Sequence, residues 1–175
     1  IFVSTFDTAP LAPDLNFVVE GKGADFQKGL DVLNKLTDGK VYLGLDGNGE
    51  TAPSSVFTEA KGVEHRWFSG KHPAGNVGVH IHHTEPILRG DKVWTLGVQE
   101  VITFGRLFTE KRFNTERIVV LAGAELKAPK YVKTYLGAKI GDLVKDNLAN
   151  DHVRYISGDV LSGEKKNEEQ FLNVY

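Results

Sequence analysis

The sequence predicts an α/β protein in which a Rossmann-like parallel-sheet layer is followed by a small β-grasp-like module of the soluble-ligand-binding type. Two observations carry this prediction. The first half alternates apolar, strand-like runs with helical periodicity, which is the pattern of parallel strands joined by helical crossovers. After Asn114, short alternating strands flank one short helix instead. The 175 residues are enough for one large domain or two small ones.

The first crossover is the clearest part of the pattern. Ile1 to Phe6 is apolar and reads as a buried strand. Apolar residues then recur at helical spacing from Gly23 to Leu36, and Gly39 is placed to end this helix. Val41 to Leu45 is the next strand. A strand, a helix and a strand in this order predict a right-handed parallel crossover.

The segments around this crossover are predicted to be irregular or short. Asp7 to Pro13 contains two prolines and is predicted to be a loop. Phe17 to Val19 is predicted to be a short extended piece. Asp46 to Gly49 has turn chemistry, and the polar stretch that continues to Gly62 is predicted to be a surface loop.

The rest of the first half contains one more strand and two helices. His65 to Phe68 is predicted to be a short strand, and Asn76 to His83 a helix. Gly97 to Phe108 is the clearer helix, because five of its residues share one face. These residues are Val98, Val101, Ile102, Gly105 and Phe108.

The second half has a different pattern. Arg117 to Leu121 is a strong strand, and Tyr131 to Leu136 alternates like a half-buried strand. Lys139 to Leu148 is predicted to be a short helix. Val153 to Ile156 and Asp159 to Leu161 are predicted to be strands around a Ser-Gly turn. We place the boundary near Arg112 to Glu116, which gives a Rossmann-like domain over 1–113 and a β-grasp-like module over 114–175.

Composition excludes several classes of protein. Lys and Arg number 21 and Asp and Glu 23, so the net charge of −2 argues against a strongly basic nucleic-acid binder. No run approaches the roughly 18 apolar residues of a membrane span. The chain has no Cys, which removes disulfides, thiolate metal sites, Fe–S clusters and cysteine nucleophiles. It also has no Met and opens on an apolar strand, so we expect an internal part of a longer protein, with the second module truncated at its C-terminal end.

Four histidines, His72, His80, His82 and His83, lie within a dozen residues. Imidazole is a good ligand for zinc, copper or iron. However, there is no H-E-x-x-H spacing, and Glu85 is the only carboxylate placed as a third ligand. The alternative, which we favour, is that these side chains cap, pack or form hydrogen bonds in a polar region. We therefore assign no metal site.

Two glycine-containing segments are candidate ligand sites. Gly21-Lys22-Gly23 begins like a dinucleotide loop, but Phe26 replaces the third Gly and the segment does not directly follow the first strand. We therefore expect no bound flavin or nucleotide. Gly70 to Gly78 is the most unusual segment, since its glycines permit close approach and Lys71 and His72 add donors. It is either a ligand or docking loop, or a tight turn before a closely packed helix.

Several segments, spread over nearly the whole chain, match the pattern of a known family. The most specific of them is His72-Pro73-Ala74-Gly75. The other matching segments are Phe2 to Ser4, Asp7 to Ala12, Gly29 to Leu33, Gly39 to Leu43, Val77-Gly78, His80 to His82, Val93-Trp94, Leu121 to Gly123 and Ile156 to Gly163. Together these segments resemble the A subunit of the Na+-translocating NADH:quinone reductase.

A wider similarity extends to the C subunit of Rnf complexes and the FMN-binding subunit of complex I. Gly97 to Val101 looks like the segment that precedes their β-grasp module, and Arg117 to Val144 looks like the module itself. In the FMN-binding relative, a glycine-rich loop holds the flavin and cysteines hold an Fe–S cluster. Neither feature is present here. The resemblance therefore implies that residues 1–113 are a cofactor-free counterpart of the FMN-subunit domain.

The resemblance implies a peripheral subunit on the cytoplasmic face of the bacterial inner membrane. It would dock on other subunits of a membrane complex that oxidises NADH, reduces ubiquinone and exports Na+, with NADH, flavins and Fe–S clusters held by those partners. We expect this chain alone not to be catalytic. The residues expected to contact ubiquinone or a partner subunit are Lys71, His72, Pro73, His80, His82 and His83.

Two other functions remain open at this point. One is a stand-alone metal-dependent enzyme that uses His72, His80 and His82. The other is a binding module whose β-grasp part holds a soluble ligand.

Overall fold

The computed structural model describes residues 1–150 and 152–173, so residue 151 and the last two residues of the predicted second domain lie outside it. The described chain forms two compact units. The first comprises Ile1–Thr8 and Asp14–Asn114, and the second comprises Ala9–Pro13 together with the residues from Thr115 onward.

The first unit is built on a parallel sheet of four strands in the order β3-β2-β1-β4. The strands are β1 (Phe2–Ser4), β2 (Tyr42–Asp46), β3 (Glu64–Phe68) and β4 (Thr95–Gly97). In register, Val3 lies opposite Leu43 on one side and Leu96 on the other. This sheet confirms the predicted parallel layer. Strand β4 was not predicted, because its three residues are too few to show a periodicity.

Helices cover both faces of this sheet. They are α1 (Leu15–Val19), α2 (Gly23–Leu36), α3 (Ser55–Thr58), α4 (Val77–Thr84) and α5 (Val98–Glu110). Because successive strand side chains point to opposite faces, Val3 and Leu43 enter the main core with α2 and α5. Phe2 and Tyr42 pack on the other face with Ile81 of α4.

Helices α2 and α5 approach each other through two glycines. A Cβ atom at Gly105 would collide with the carbonyl of Asp25, and one at Gly29 would collide with the carbonyl of Val101. The Arg106 Nε–H also donates to Asp25 Oδ2 at 2.8 Å. Phe108 was predicted to share one face of α5 with four other residues; those four are buried, whereas Phe108 is 54% exposed.

Two predictions in this unit are wrong. Phe17 to Val19 is helical rather than extended, because Asp14 caps α1 by accepting a hydrogen bond from the Asn16 N–H at 2.9 Å. The polar stretch before Gly62 is not only a surface loop, since it contains α3 with its Phe57 side chain fully buried. Helices of four or five residues are too short to carry a helical periodicity.

The second unit consists of two antiparallel hairpins and a short helix. Its elements are β5 (Glu116–Leu121), β6 (Lys130–Tyr135), α6 (Ile140–Val144), β7 (Tyr155–Ser157) and β8 (Glu164–Lys166). Helix α6 is shorter than predicted. These small antiparallel sheets, beside the parallel sheet of the first unit, agree with the predicted fold class.

The segment Asp159 to Leu161 was predicted to be a strand and is a turn. The Asp159 carboxylate accepts hydrogen bonds from the N–H groups of Leu161 and Ser162 at 2.7 and 2.9 Å. These bonds fold the chain back on itself, so the second strand of this hairpin begins only at Glu164.

Within the described part of the chain, no helix has both the length and the apolar character needed to cross a membrane.

Candidate functional site

The loop from Gly70 to Asn76 is bound to the segment that follows β1. The Ser4 hydroxyl lies 3.0 Å from the Gly75 carbonyl and 2.8 Å from the Phe6 carbonyl, so its proton is shared between them. The Gly75 N–H donates to Thr8 Oγ1 at 2.9 Å. A Cβ atom at Gly75 would lie only 2.7 Å from the Thr8 nitrogen. Glycine is therefore required for this close approach.

The loop from Gly70 to Asn76 lies at the edge of the parallel sheet where the strands end. Open α/β sheets place their ligands outside the carboxyl ends of the strands, at the point where the strand order reverses. Here the order reverses between β1 and β4. Because the loop from Gly70 to Asn76 lies against the carboxyl end of β1, it occupies an edge of the fold that commonly carries function.

Three of the sequence-predicted site residues are exposed on this loop. Lys71, His72 and Pro73 are all exposed, and the peptide bond between His72 and Pro73 is cis. The His72 Nδ1 atom lies 3.3 Å from the Thr8 hydroxyl. The loop therefore presents an ammonium group and an imidazole on a backbone that its glycine contacts hold in place.

His80 has a different environment from the other histidines. Its side chain is 1% exposed. The imidazole stacks on Phe68 with 3.9 Å between ring centroids and on Phe6 with 5.5 Å. A Cβ atom at Gly44 would collide with the imidazole, so glycine in β2 makes room for it.

The remaining polar contact of His80 connects helix α4 to the loop. The His80 Nε2–H donates to the Ala74 carbonyl at 2.7 Å, and because a carbonyl only accepts, the proton of the neutral ring must be on Nε2. Burial lowers the pKa of His80, and this hydrogen bond offsets the effect only in part. His80 was grouped with the residues expected to contact ubiquinone or a partner, and the structure places its side chain in the interior.

His82 and His83 lie in the last turn of α4, and both are exposed. Their rings meet edge to face with 5.1 Å between centroids. The structure therefore separates the histidines, with His80 inside and His72, His82 and His83 outside.

The separation of His80 from the exposed histidines is relevant to the alternative of a metal-dependent enzyme. Across residues 1–150 and 152–173, no three His, Cys, Asp or Glu side chains are grouped so that they could hold a metal ion. In particular, His72 and His82 are exposed while His80 is enclosed between aromatic rings. The residues proposed for a metal-dependent enzyme do not converge.

Sequence reasoning missed a polar pair on the same face of the sheet. The Tyr42 hydroxyl donates to Glu85 Oε2 at 2.8 Å, and its ring stacks on Phe2. The Arg66 guanidinium lies 5.5 Å from the centroid of the Tyr42 ring. Burial, followed by the hydrogen bond to the carboxylate, raises the pKa of Tyr42. Strand alternation could have indicated this pair, because it places Tyr42 on the face opposite the main core.

In dinucleotide-binding folds, the N-terminus of a helix holds the phosphate groups. The N-terminus of α5 is poorly suited to such an anion. A Cβ atom at Gly97 would collide with Oε2 of Glu100, so this carboxylate lies at the N-terminus of α5. A negative charge there opposes a phosphate group. Glu100 therefore makes the start of α5 unfavourable for the phosphate group of a flavin or nucleotide.

Comparison with known families covers both halves of the chain. Residues 1–113 match the family described as the NqrA second alpha/beta domain, and residues 118–168 match the NQRA C-terminal domain of the SLBB type. The chain belongs to the NqrA family. The first match contains the parallel sheet, the loop from Gly70 to Asn76 and all four clustered histidines. The second contains most of β5 and all the elements from β6 to β8.

Relatives of this NqrA chain confirm the resemblance stated from the sequence. It is 45% identical to the A subunit of the Na+-translocating NADH-quinone reductase of Saccharophagus degradans over 94% of its length. It is 46% identical to the protein of the same name from Shewanella frigidimarina and 41% identical to that from Neisseria meningitidis serogroup B, each over 93% of its length. The chain spans 35 to 36% of these relatives.

Proposed function

We propose that this chain is a scaffold and docking part of the A subunit in a Na+-translocating NADH:quinone reductase. The observation that carries the proposal is the match to two NqrA domains in sequence order, together with 41 to 46% identity to relatives that bear this name. In this proposal the whole complex couples NADH oxidation and ubiquinone reduction to Na+ export. The chain contributes to the complex without catalysing a step alone.

The proposed location is the cytoplasmic face of the bacterial inner membrane, against other subunits of the complex. The substrates support this location, because NADH is dissolved in the cytoplasm and ubiquinone is dissolved in the membrane. A protein on that face can contact the partners that carry electrons between the two. Nucleic acid has no part in this function, which agrees with the net charge of −2.

The surface proposed to face a partner subunit or the quinone entrance is formed by Lys71, His72, Pro73, His82 and His83. We call these five residues the docking surface. All five are exposed. Imidazole and ammonium groups can donate hydrogen bonds to a quinone carbonyl, and an imidazole can act as a general acid toward a reduced quinone.

His80 supports the docking surface from within. It lies on the same helix as His82 and His83 and donates to the carbonyl of Ala74 in the loop that carries His72. Through this hydrogen bond and the stack on Phe68, the loop and helix α4 are held on the sheet as one unit. His80 is therefore proposed to act on the contact only by positioning the other residues.

The chain is also proposed to bind no redox group of its own. Glu100 at the start of α5 supports this part of the proposal, as does the absence of Cys from the sequence. In this account NADH, flavins and Fe–S clusters are bound by partner subunits. Ubiquinone is then the one small molecule that this chain would contact.

Purification of the complex tests the proposed function. The full-length subunit that contains this chain is tagged in its native bacterium, and membranes are extracted in mild detergent. We expect the other reductase subunits to co-purify with it, together with Na+-stimulated ubiquinone reduction by NADH. Recovery of only the tagged subunit, with the reductase activity in the unbound fraction, would contradict the proposal.

A further inference from the structure

The turn after β2 contains an asparagine that is followed by a glycine. Of the nine asparagines in the sequence, only Asn48 has glycine as its next residue. Asn48 and Gly49 are both exposed, and the space around the Cβ position of Gly49 is open. Asparagine is a thermolabile residue, because its side-chain amide can be hydrolysed to a carboxylic acid. Water reaches the amide of Asn48, and no side chain on Gly49 shields the neighbouring nitrogen.

Two hydrogen bonds hold the Asn48 amide in place. Its Oδ1 atom accepts from the Gly70 N–H at 2.7 Å, and its Nδ2–H donates to Asp46 Oδ1 at 2.8 Å. The first bond withdraws electron density from the side-chain carbonyl, so the Cγ atom is more open to a nucleophile. It also places a donor on the oxygen that becomes negative in a tetrahedral intermediate, as the donors of an oxyanion hole do.

The nucleophile is the backbone nitrogen of Gly49. Within the part of the chain that the structure describes, the Gly49 N–H donates to no acceptor. The proton is therefore accessible to hydroxide, which must remove it before the nitrogen can attack. Attack on Cγ of the preceding residue closes a five-membered ring. Because both reacting groups belong to one short segment, the reaction needs no bimolecular encounter.

We propose that Asn48 is a site of spontaneous deamidation. The Gly49 nitrogen gives its proton to hydroxide and forms a bond to Cγ of Asn48. The bond from Cγ to Nδ2 then breaks, and ammonia leaves with a proton taken from water. Water next adds to either carbonyl of the succinimide ring, which gives aspartate or isoaspartate at position 48. The net change consumes one water and releases one ammonia, and nothing is oxidised or reduced.

The products change the contacts of the turn. A carboxylate at position 48 no longer donates to Asp46 and repels it, because the two charges are alike and close together. In isoaspartate the main chain also runs through one more carbon atom, which displaces the group that accepts from the Gly70 N–H. Gly70 begins the loop that extends to Asn76. We therefore expect deamidation to release the start of this loop.

Peptide mapping of the purified full-length subunit that contains this chain tests the proposal. Trypsin cuts after Lys40 and Lys61, and the peptide 41–61 contains Asn48 as its only side-chain amide. After long incubation of the folded subunit in mildly alkaline buffer, we expect this peptide to gain the mass difference between an amide and a carboxylic acid. The gain should be slower in mildly acidic buffer, because hydroxide is needed to deprotonate the Gly49 nitrogen.

The internal control is Asn76, which is also exposed but is followed by Val77, whose branched side chain crowds the nitrogen. Asn76 is the only side-chain amide of the tryptic peptide from His72 to Arg89, and this peptide should keep its mass. The matched variant is Asn48→Gln, whose longer side chain would have to close a larger ring. Its peptide 41–61 should also keep its mass.

The outcomes decide both the modification and its effect. If the folded subunit keeps Asn48 while a free peptide of residues 41–61 loses the amide in the same buffer, the fold protects Asn48 and the proposal is overturned. An equal mass gain at Asn76 would also overturn it, because Gly49 would then not determine the site. Hydrogen exchange of the Gly70 amide should be faster in the isoaspartate fraction than in fresh subunit. Unchanged exchange would overturn the release of the loop.

Discussion

The imidazole of His80 and the ring of Phe68 are stacked, with 3.9 Å between their centroids and 9° between their planes. Phe68 is the last residue of β3, and His80 lies in the middle of α4. The pair therefore fixes the helix to the carboxyl end of the sheet. Because the same imidazole donates to Ala74, it also holds the loop that precedes the helix.

Two substitutions of His80 should lower the free energy of unfolding by different amounts, because they remove different contacts of the imidazole. We expect His80→Ala to lower the free energy of unfolding by about 3 kcal/mol, because it removes both the stacked ring and the hydrogen bond. His80→Phe keeps an aromatic ring but leaves the Ala74 carbonyl without its donor, so we expect a loss of about 1 to 2 kcal/mol. Urea unfolding of the 175-residue chain measures both values.

The control for these variants is His82→Ala, which removes an exposed imidazole from the same helix. We expect it to change the free energy of unfolding by less than about 0.5 kcal/mol. If His80→Ala unfolds at the same urea concentration as His82→Ala, the stack and the hydrogen bond do not stabilise the fold.

Stability should depend on pH through His80. Because burial lowers the pKa of His80 from 6.5, the unfolded chain takes up this proton at a higher pH than the folded chain does. The contribution is therefore complete above pH 6.5 and decreases as the pH falls from there through the lowered pKa of the folded state. We expect His80→Phe to remove this part of the pH dependence, as seen in urea midpoints between pH 7 and about pH 5.

The matched control is Gly78→Ala, which changes helix α4 at a position with open space and leaves His80 in place, so it should keep the wild-type slope. Parallel slopes for wild type and His80→Phe would show that another group causes the decrease at low pH.

The contact between α2 and α5 should not tolerate an added methyl group. Gly105→Ala would place a Cβ atom against the Asp25 carbonyl, so we expect a loss of about 2 kcal/mol or more from overpacking. Gly78→Ala in α4 is the matched control, because the space around its Cβ position is open. It should be neutral or stabilise the chain by up to about 1 kcal/mol. Thermal unfolding of both variants gives the comparison, and equal melting temperatures would contradict the close approach.

The purified chain should bind neither flavin nor NADH. Glu100 places a negative charge at the start of α5, which is unfavourable for a phosphate group. Trp67 and Trp94 are 58% and 71% exposed, so their fluorescence should report a nucleotide that binds nearby. We expect a colourless protein whose fluorescence changes with NADH only through absorption by the nucleotide. Saturable quenching of either tryptophan would contradict this expectation.

The parts of the fold that were predicted from sequence have strong local signals. Helix α2 was predicted to the residue, because apolar positions repeat over four turns from Gly23 to Leu36. Helices α1 and α3 were missed because each is too short to repeat, and only their caps, Asp14 and Ser54, mark them. The turn at Asp159 was missed because Val160 and Leu161 resemble a strand, while the carboxylate that folds them acts through the backbone.

The candidate site was also predictable from the sequence only in part. The predicted helix from Asn76 to His83 carried His80, His82 and His83 together, but the sequence could not indicate that His80 alone of these three is buried. That difference arises from tertiary packing, since Phe6, Gly44 and Phe68 come from three other segments of the chain. The close approach of Gly75 to Thr8 was anticipated only as a general property of glycine.

The docking surface is proposed to contact a partner subunit or ubiquinone. The most direct measurement is ubiquinone reduction by NADH in membranes whose full-length NqrA carries His82→Ala/His83→Ala, compared with wild type at equal NqrA expression. Because both imidazoles are exposed, the melting temperature of the chain should not change. We expect the rate, or the apparent affinity for ubiquinone, to fall about tenfold. A wild-type rate together with a wild-type KM for ubiquinone would contradict the account.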